Sequence, residues 1–466
     1  MKIIMLWLKR AIKLVSVLFL ALLLVYAVAR PYQLYTESQI EGDRAPYFQM
    51  QSANAMSVVW NTAESEKGVV RYGRSPDDLD MEIREDEVAE AHELRLTQLQ
   101  AASRYYYAVG NTETMKYGGS KDDWFMTAPA TGAKNGAVRL WVIGDSGQSG
   151  KIQQSVRDAM KIWVKNNSRE DKPYLDQWLA LGDNAYRSGT NQQYQAALFD
   201  AYPDILKNIS LWPVYGNHDA RRWAFFDIFS LPEQAESGGV LSATEHYYSF
   251  DYANIHYVML DSQDSDREPD GDMLNWLQRD LEAYSQSGQQ DWLIVAFHHP
   301  PYSKGSHNSD DEGDSGGRLV DMRQYVLPVL EQYGVDLVLS GHSHVYERSY
   351  LMDCHYGDSS QFSDKNIVSQ GVEGNNIDYI KARGAHSGTV YVVAGASAKV
   401  DTAPMNHPAM TVSMMKAGSL LIDIKGNYLE ARYISTDAEV EDEFTIEKRQ
   451  DDSWKKYSNK SYAGCQ

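Results

Sequence analysis

Short runs of alternating apolar and polar residues follow one another between Gly42 and Ala128. Polar or glycine-containing turns separate them, and no helical period lies between them. Such a series is typical of a small β-sandwich. We therefore predict an all-β domain over residues 42–128, followed by a linker from Pro129 to Gly136. The predicted strands are Ser57–Trp60, Gly68–Tyr72, His92–Leu96 and Tyr105–Val109.

Beyond the linker, apolar strands alternate with amphipathic helices, which predicts a layered α/β domain whose helices cover the sheets. We expect this domain to span 136–437, with loop insertions at 231–245 and 352–386 and a C-terminal tail at 438–466. The predicted strands are 138–144, 178–182, 212–216, 292–297, 335–340, 390–394, 419–424 and 428–434, and the predicted helices are 153–164, 273–284 and 319–333.

The N-terminus, residues 1–30, has the order of a signal peptide or a signal anchor. Basic residues up to Lys13 precede an uncharged apolar stretch at 14–29. The sequence Ala27-Val28-Ala29 fits a cleavage site, whereas the length of the stretch approaches that of a spanning helix. Cleavage and retention both stay open. In either case we expect the rest of the chain outside the cytoplasm, secreted, periplasmic or membrane-anchored.

Charge and cysteine content narrow the class of protein further. A net charge of −20 argues against binding to a nucleic-acid backbone, which needs a basic face. An anionic substrate would need a strong local positive charge, such as a metal cluster. The two cysteines, Cys354 and Cys465, are too few for a disulfide framework. In an oxidising compartment they could pair with each other, and the alternative is two free thiols.

Polar side chains suited to metals follow five of the predicted core strands, each within a short turn. Ligands gather at the carboxyl ends of strands in such sheets. One motif alone is weak evidence, because a Gly-Asp pair is usually a turn. Five strand ends offering only oxygen and nitrogen ligands indicate hard or borderline cations, and a bridging carboxylate would hold two of them. The motifs are Gly144-Asp145-Ser146-Gly147, Gly182-Asp183-Asn184-Ala185-Tyr186, Gly216-Asn217-His218-Asp219, His298-His299-Pro300 and Gly341-His342-Ser343-His344.

These motifs resemble those of the metallophosphoesterase superfamily and, more narrowly, of the purple acid phosphatases. The ordered series DxG, GDxxY, GNH, a later strand-terminal His and GHxH runs from Asp145 to His344. The β-rich part before it is similar to the fibronectin-like domain of the larger members. The resemblance implies a four-layer α/β metallophosphoesterase domain, two β-sheets flanked by helices, preceded by a fibronectin type III-like β-sandwich.

The resemblance also implies a dinuclear metal centre with a defined division of ligands. Asp145, Asp183, Tyr186 and His344 would bind Fe(3+). Asp183 would bridge to a divalent ion (Fe, Zn or Mn) held by Asn217, His298 and His342. The donor chemistry is consistent with this, because a phenolate favours a trivalent ion and imidazoles suit a divalent one. Tyr186 could instead be a packed aromatic residue. His299, adjacent to His298, is a competing ligand that would point to the opposite side of a strand.

His218 and His307 resemble the outer-sphere histidines of the family, placed to contact phosphate oxygens and the leaving group. For His307, a solvated loop histidine is the rival interpretation. The implied reaction is hydrolysis of small phosphate monoesters by a metal-bound hydroxide, without a phosphoenzyme. One of the two histidines would protonate the leaving group. The acidic stretches 261–272 and 310–314 are expected to be solvated surface.

Two other functions stay open at this point. A phosphodiesterase or nucleotidase on the same scaffold would use the same ligands with a different pocket rim. In a surface-binding protein, the sandwich would do the work and the phosphatase domain would be inert.

Overall fold

The computed structural model describes residues 2–39, 42–169, 174–373, 377–449 and 465. Its strands are β1 (Arg44–Gln49), β2 (Met56–Glu66), β3 (Val69–Gly73), β4 (Met81–Arg84), β5 (Ala89–Leu96), β6 (Arg104–Gly110), β7 (Met115–Gly118), β8 (Trp124–Met126), β9 (Ala137–Ile143), β10 (Gln177–Ala180), β11 (Leu211–Pro213), β12 (Tyr248–Tyr252), β13 (Ile255–Met259), β14 (Trp292–Ala296), β15 (Leu337–Ser340), β16 (Tyr346–Ser349), β17 (Leu351–Met352), β18 (Ile367–Ser369), β19 (Val372–Glu373), β20 (Ile377–Ala382), β21 (Val390–Ala394), β22 (Met410–Met414), β23 (Gly418–Lys425), β24 (Tyr428–Ser435) and β25 (Val440–Arg449). Its α-helices are α1 (Lys2–Ser38), α2 (Lys151–Asn166), α3 (Asn191–Tyr194), α4 (Pro203–Leu206), α5 (Ala224–Ile228), α6 (Asp272–Ser287), α7 (Arg318–Asp321) and α8 (Leu327–Gln332).

The N-terminal apolar stretch forms the exposed helix α1. Its segment Lys9–Glu37 has 29 residues and contains an 18-residue stretch with a mean hydropathy of 2.6, so it is long and apolar enough to cross a bilayer. The helix continues without a break through Ala27-Val28-Ala29. At its C-terminal end, the Arg222 guanidinium donates a hydrogen bond to the Glu37 carboxylate. The chain therefore has an N-terminal apolar helix of the kind that a signal peptide or an anchor needs.

Strands β1 to β8 form two facing antiparallel sheets. One has the order β1-β2-β5, and the other has the order β4-β3-β6-β7 with β8 paired to β6. All four strands predicted for this region overlap β2, β3, β5 and β6. Alternating side chains of both sheets fill a common core around Phe48, Trp60, Val70 and Phe125. The first sheet also touches the rest of the chain, since the Tyr47 hydroxyl donates to the Ile228 carbonyl at 2.5 Å.

Two larger sheets pack face to face in the remainder of the chain. Their orders are β11-β10-β9-β23-β24-β25-β20-β19 and β12-β13-β14-β15-β21-β16-β22. Strand β14 illustrates the layering: Trp292 and Ile294 contribute to the core between the sheets, whereas Leu293 and Val295 pack in the core that contains α6 and α8. Helix α2 packs on the outer face of the first sheet. The result is the predicted four-layer order of helices, sheet, sheet and helices.

Three expectations about elements need correction. The predicted tail begins with β25, which pairs antiparallel with β24 and parallel with β20. Strand β20 itself lies in the segment 352–386, expected to be a loop insertion. Charged residues on the outer side of β25 obscure the alternation of apolar and polar residues by which a strand is predicted, while Phe444 and Ile446 are buried. The helix predicted at 319–333 is α7 and α8 joined by a π-helical turn at Met322–Val326.

The cysteines form a disulfide bond, Cys354–Cys465, 111 residues apart in sequence. Of the two open alternatives, pairing is therefore confirmed. The bond ties the C-terminus to the segment that follows β17.

Candidate metal centre

Side chains from five strand ends converge at one edge of the two central sheets. Strands β9 and β10 are parallel neighbours in one sheet, as are β14 and β15 in the other, so their carboxyl ends point the same way. The polar residues that follow the strands are Asp145 after β9, Asp183 after β10, Asn217 after β11, His298 after β14 and His342 after β15.

Asp183 lies at the centre of this group. Its Oδ2 accepts a hydrogen bond from the Tyr186 hydroxyl at 3.0 Å, and its Oδ1 lies 3.5 Å from Nε2 of His298. The backbone N–H of His218 donates to Oδ1 at 2.7 Å. One carboxylate thus contacts groups from both sides of the site, the position that a bridging ligand requires.

On one side of the site, the Tyr186 hydroxyl is surrounded by three possible metal ligands, the carboxylates of Asp145 and Asp183 and the imidazole of His344. This oxygen lies 3.1 Å from Oδ1 of Asp145 and 3.2 Å from Nε2 of His344. On the other side, Nε2 of His298 lies 3.0 Å from Oδ1 of Asn217. Asp145, Tyr186 and His344 thus lie on one side of Asp183, and Asn217 and His298 lie on the other.

The second side is completed by His342, whose Nδ1 lies 3.2 Å from Nε2 of His298. Both imidazoles have their other ring nitrogen engaged. Nδ1 of His298 donates to the Leu181 carbonyl at 2.8 Å, and Nε2 of His342 pairs with the Ser315 hydroxyl at 2.6 Å. Such outer hydrogen bonds fix the ring orientation and leave the inner nitrogen free for a cation.

His344 is oriented in the same way by a carboxylate. Its Nδ1 lies 2.6 Å from Oδ2 of Asp401, which also accepts a hydrogen bond from Lys399 at 2.8 Å. A carboxylate–histidine pair of this kind raises the basicity of the nitrogen that faces the metal. Asp401 lies 57 residues beyond His344 and belongs to no motif, so the sequence analysis missed it.

The backbone is constrained where the strands end. Asp145, Asp183 and His342 have φ angles of 53°, 52° and 65°. Non-glycine residues rarely adopt this left-handed region, and such conformations cluster at functional sites. The glycines of the motifs allow close approach: a Cβ on Gly216 would lie 2.2 Å from the Asp183 nitrogen, and one on Gly341 would lie 2.5 Å from Oδ2 of Asp145.

The electrostatics of the site favour a cation. Asp145 and Asp183 are almost completely buried, at 0% and 1% exposure. Burial, followed by the neighbouring charge of Asp145, raises the pKa of Asp183 to about 8. A positive ion between the carboxylates would relieve this cost. The converging donors are carboxylate, phenol, amide and imidazole groups, so they fit hard or borderline di- and trivalent ions.

The two predicted outer histidines lie on opposite sides of the cluster. Nδ1 of His218 pairs with the Arg187 carbonyl at 2.7 Å, and its ring packs 4.3 Å from that of Tyr186. His307 stacks on His342 at 3.7 Å between ring centroids, and its Nδ1 lies 2.8 Å from Oδ1 of Asp314. His307 is therefore packed rather than freely solvated.

One residue in each of the two acidic stretches differs from the expectation of solvated surface. Asp314 holds His307, and Asp261 is fully buried, where it accepts hydrogen bonds from the backbone at Gln263 and Asp264. The competing ligand His299 lies beyond the end of β14, so strand alternation does not apply to it. Its Nδ1 pairs with the Ser262 hydroxyl at 2.8 Å.

Two family models match successive parts of the chain. The model of the calcineurin-like phosphoesterases matches residues 138–346, and that of the purple acid phosphatase N-terminal domain matches residues 46–127. Among curated proteins, purple acid phosphatase 22 of Arabidopsis thaliana is 28% identical over 318 residues, which are 63% of this chain and 64% of the relative. Purple acid phosphatase 15 of the same plant is 26% identical over 288 residues, covering 55% of this chain and 49% of the relative. The chain thus spans about half to two thirds of these relatives.

Solved structures share the fold at low sequence identity. Purple acid phosphatase PPD1 from yellow lupin (Lupinus luteus) seeds superposes with a TM-score of 0.66 at 17% identity, covering 88% of this chain and 75% of that one. The structure of PhoD superposes with a TM-score of 0.59 at 12% identity, covering 91% and 94%.

The layered sheets and the matched model define a calcineurin-like phosphoesterase domain, preceded by a β-domain. The predicted resemblance is confirmed: residues 138–346 match the calcineurin-like phosphoesterases, and the chain is similar to the purple acid phosphatases.

Proposed function

We propose that this protein is an acid phosphatase that hydrolyses small phosphate monoesters at a dinuclear metal centre. The observation that supports this most is the position of Asp183, a buried carboxylate in contact with Tyr186 on one side and His298 on the other. The relatives of this chain are purple acid phosphatases, and its motifs supply every ligand type that such a centre needs.

The proposed ligand division follows the two sides of the cluster. Asp145, Asp183, Tyr186 and His344 would hold Fe(3+), and Asp183, Asn217, His298 and His342 would hold a divalent ion (Fe, Zn or Mn). When bound, the two ions would activate a water molecule and neutralise charge on the phosphoryl oxygens. The buried carboxylates would hold the ions, and the outer hydrogen bonds of His298, His342 and His344 orient their imidazole rings.

The flanking histidines have different proposed roles. The water oxygen forms a bond to phosphorus while the bond from phosphorus to the alcohol oxygen breaks. One water proton stays on the phosphate, the other is released to solvent, and the leaving alkoxide takes up a proton from an acid. We propose that His307 donates this proton to the alkoxide, because Asp314 pairs with Nδ1 of His307 and would stabilise its imidazolium form. His218, whose Nδ1–H donates to the Arg187 carbonyl, would donate a hydrogen bond through Nε2 to a phosphoryl oxygen when protonated, and when neutral would accept one from a phosphoryl hydroxyl.

Monoester specificity can be tested with two substrates that share a leaving group. We expect the full chain to release phosphate from p-nitrophenyl phosphate with a much higher kcat/KM than it shows on bis(p-nitrophenyl) phosphate. Asp183→Asn should abolish turnover. A preference for the diester would instead indicate the phosphodiesterase alternative, and metal-loaded protein inactive on all esters would indicate the binding-protein alternative.

The domain limits are also a proposal. A sandwich over 42–128 and a catalytic domain from 136 agree with the grouping of β1–β8 and β9–β25 into separate sheets. Because β25 joins the eight-stranded sheet, we extend the catalytic domain from residue 437 to 449. The strand order β1-β2-β5 against β4-β3-β6-β7 supports a fibronectin type III-like sandwich.

Finally, we propose that α1 is retained as a membrane anchor, with the catalytic domain outside the cytoplasm. Support comes from its unbroken helix and from the pairing of Glu37 with Arg222, which docks the helix end on the catalytic domain. Mass spectrometry of the membrane-bound protein should find peptides from residues 14–29. A mature protein that starts after Ala29 would contradict retention.

A further inference from the structure

A cavity of about 790 Å³ opens beside the candidate metal centre, next to Tyr186 and His218. Its wall carries the basic residues Arg187, Arg221 and Lys399, and none of the described residues that line it is Asp or Glu. This is unusual for a chain with a net charge of −20. The volume lies in the usual range of small-molecule sites, about 300–1,000 Å³, and leaves room for a substrate group beyond the phosphate.

The arginines are linked to the proposed phosphate site through one carbonyl. Nη1 of Arg221 donates to the Arg187 carbonyl at 3.1 Å, and the same oxygen pairs with Nδ1 of His218 at 2.7 Å. Nε2 of His218 lies 3.8 Å from Oδ2 of Asp183. The guanidinium of Arg221 is thus separated by a single backbone oxygen from the His218 imidazole, which lies beside the proposed bridging carboxylate.

The charges of these arginines are available to a ligand. Within the described residues, neither Arg187 nor Arg221 forms an ion pair with a carboxylate, whereas the next arginine, Arg222, is paired with Glu37. Lys399 differs, because Asp401 lies 2.8 Å from it and offsets its charge. Two exposed arginines that form no ion pair with a described carboxylate therefore line the same cavity.

We propose that Arg187 and Arg221 form a subsite for a second anionic group of the substrate. The preferred substrates are then phosphate monoesters that also carry a carboxylate or another phosphate, because a guanidinium binds either group through paired N–H donors. Uncharged leaving groups gain nothing from the subsite. This inference rests on the phosphatase function proposed above.

Two isosteric esters test the subsite: 3-carboxyphenyl phosphate and 3-carbamoylphenyl phosphate, which share a ring and differ in charge. For the wild-type full chain at low salt, we expect kcat/KM to favour the carboxylate about five- to tenfold, the combined effect of two exposed charge pairs. The ratio should fall to about one in Arg187→Gln/Arg221→Gln and should shrink in the wild type as salt is added.

A matched control removes two positive charges elsewhere. Arg279 on α6 and Lys425 at the far end of β23 are exposed and do not line this cavity. Arg279→Gln/Lys425→Gln should keep the wild-type ratio. A wild-type ratio near one, or an unchanged ratio in the arginine variant, would overturn the subsite while the phosphatase function stands. If neither ester releases phosphate, the phosphatase function itself fails.

Discussion

Replacing Asp401 by asparagine should weaken metal binding without unfolding the protein. Asp401 accepts a hydrogen bond from Nδ1 of His344, and this contact fixes which nitrogen faces the site. Loss of such an outer carboxylate typically lowers metal affinity or activity about 10–100-fold. The Asp401 side chain is 31% exposed and also pairs with Lys399. We therefore expect a loss of metal affinity at the lower end of this range, about tenfold, or ~1.4 kcal/mol.

Competition with a chromophoric chelator would measure this affinity for the wild type and for Asp401→Asn, with thermal melting of the metal-free proteins as a check on folding. Asp437→Asn is a matched control, because Asp437 lies in the turn between β24 and β25. We expect the control to bind metal like the wild type. Equal affinities for Asp401→Asn and the wild type would refute the assigned role of Asp401, and so would an equal loss in the control.

Three further predictions concern stability. Asp336→Asn should lower the free energy of unfolding at pH 7 by about 3–5 kcal/mol, because it leaves the buried Lys381 and Lys448 without the carboxylate that lies 2.8 and 2.7 Å from them in the wild type. Burial raises the pKa of Asp336, but the two lysines outweigh it and lower the pKa. In urea unfolding, the difference in stability between wild type and variant should therefore shrink below pH 4. Burial lowers the pKa of His256, but Asp280 and Asp251 outweigh it and raise the pKa to about 10. The stability gained from charged His256 should therefore be complete below about pH 6.5 and should be lost towards pH 10. A difference in free energy of unfolding between wild type and His256→Asn that grows with pH would contradict this. Cys465→Ser should lower the midpoint of thermal unfolding, by an amount equivalent to about 2–4 kcal/mol, because it releases the link to Cys354, and an unchanged midpoint would exclude a stabilising role.

The strand ends were predictable because each core strand is a continuous apolar run that stops at a polar residue. Asp145, Asp183 and His342 follow such runs, so their convergence could be inferred from the rule that parallel strands end at one edge. The left-handed backbone at these residues could not be predicted. It depends on contacts between the turns, such as the close approach of Gly341 to Asp145.

The features that could not be predicted from the sequence depend on how segments of the chain contact one another in the fold. Asp401 lies in no motif, and only the folded chain brings it to the site. Arg187 and Arg221 closely follow two of the motifs, but only the fold shows that they line one cavity. Strand β25 was mistaken for a tail because its outer residues are charged, and its inner ones are buried only when β24 and β20 flank it. Asp314 appeared to be a solvated loop residue, whereas its contact with His307 depends on the fold of that loop.

The central claim is that one carboxylate serves two metal ions. Elemental analysis of the purified full chain, combined with its visible spectrum, tests it most directly. We predict two metal ions per chain, one of them iron, a visible colour that Tyr186→Phe removes, and loss of both ions in Asp183→Asn. One ion per chain in fully loaded protein, or two ions retained by Asp183→Asn, would contradict the account.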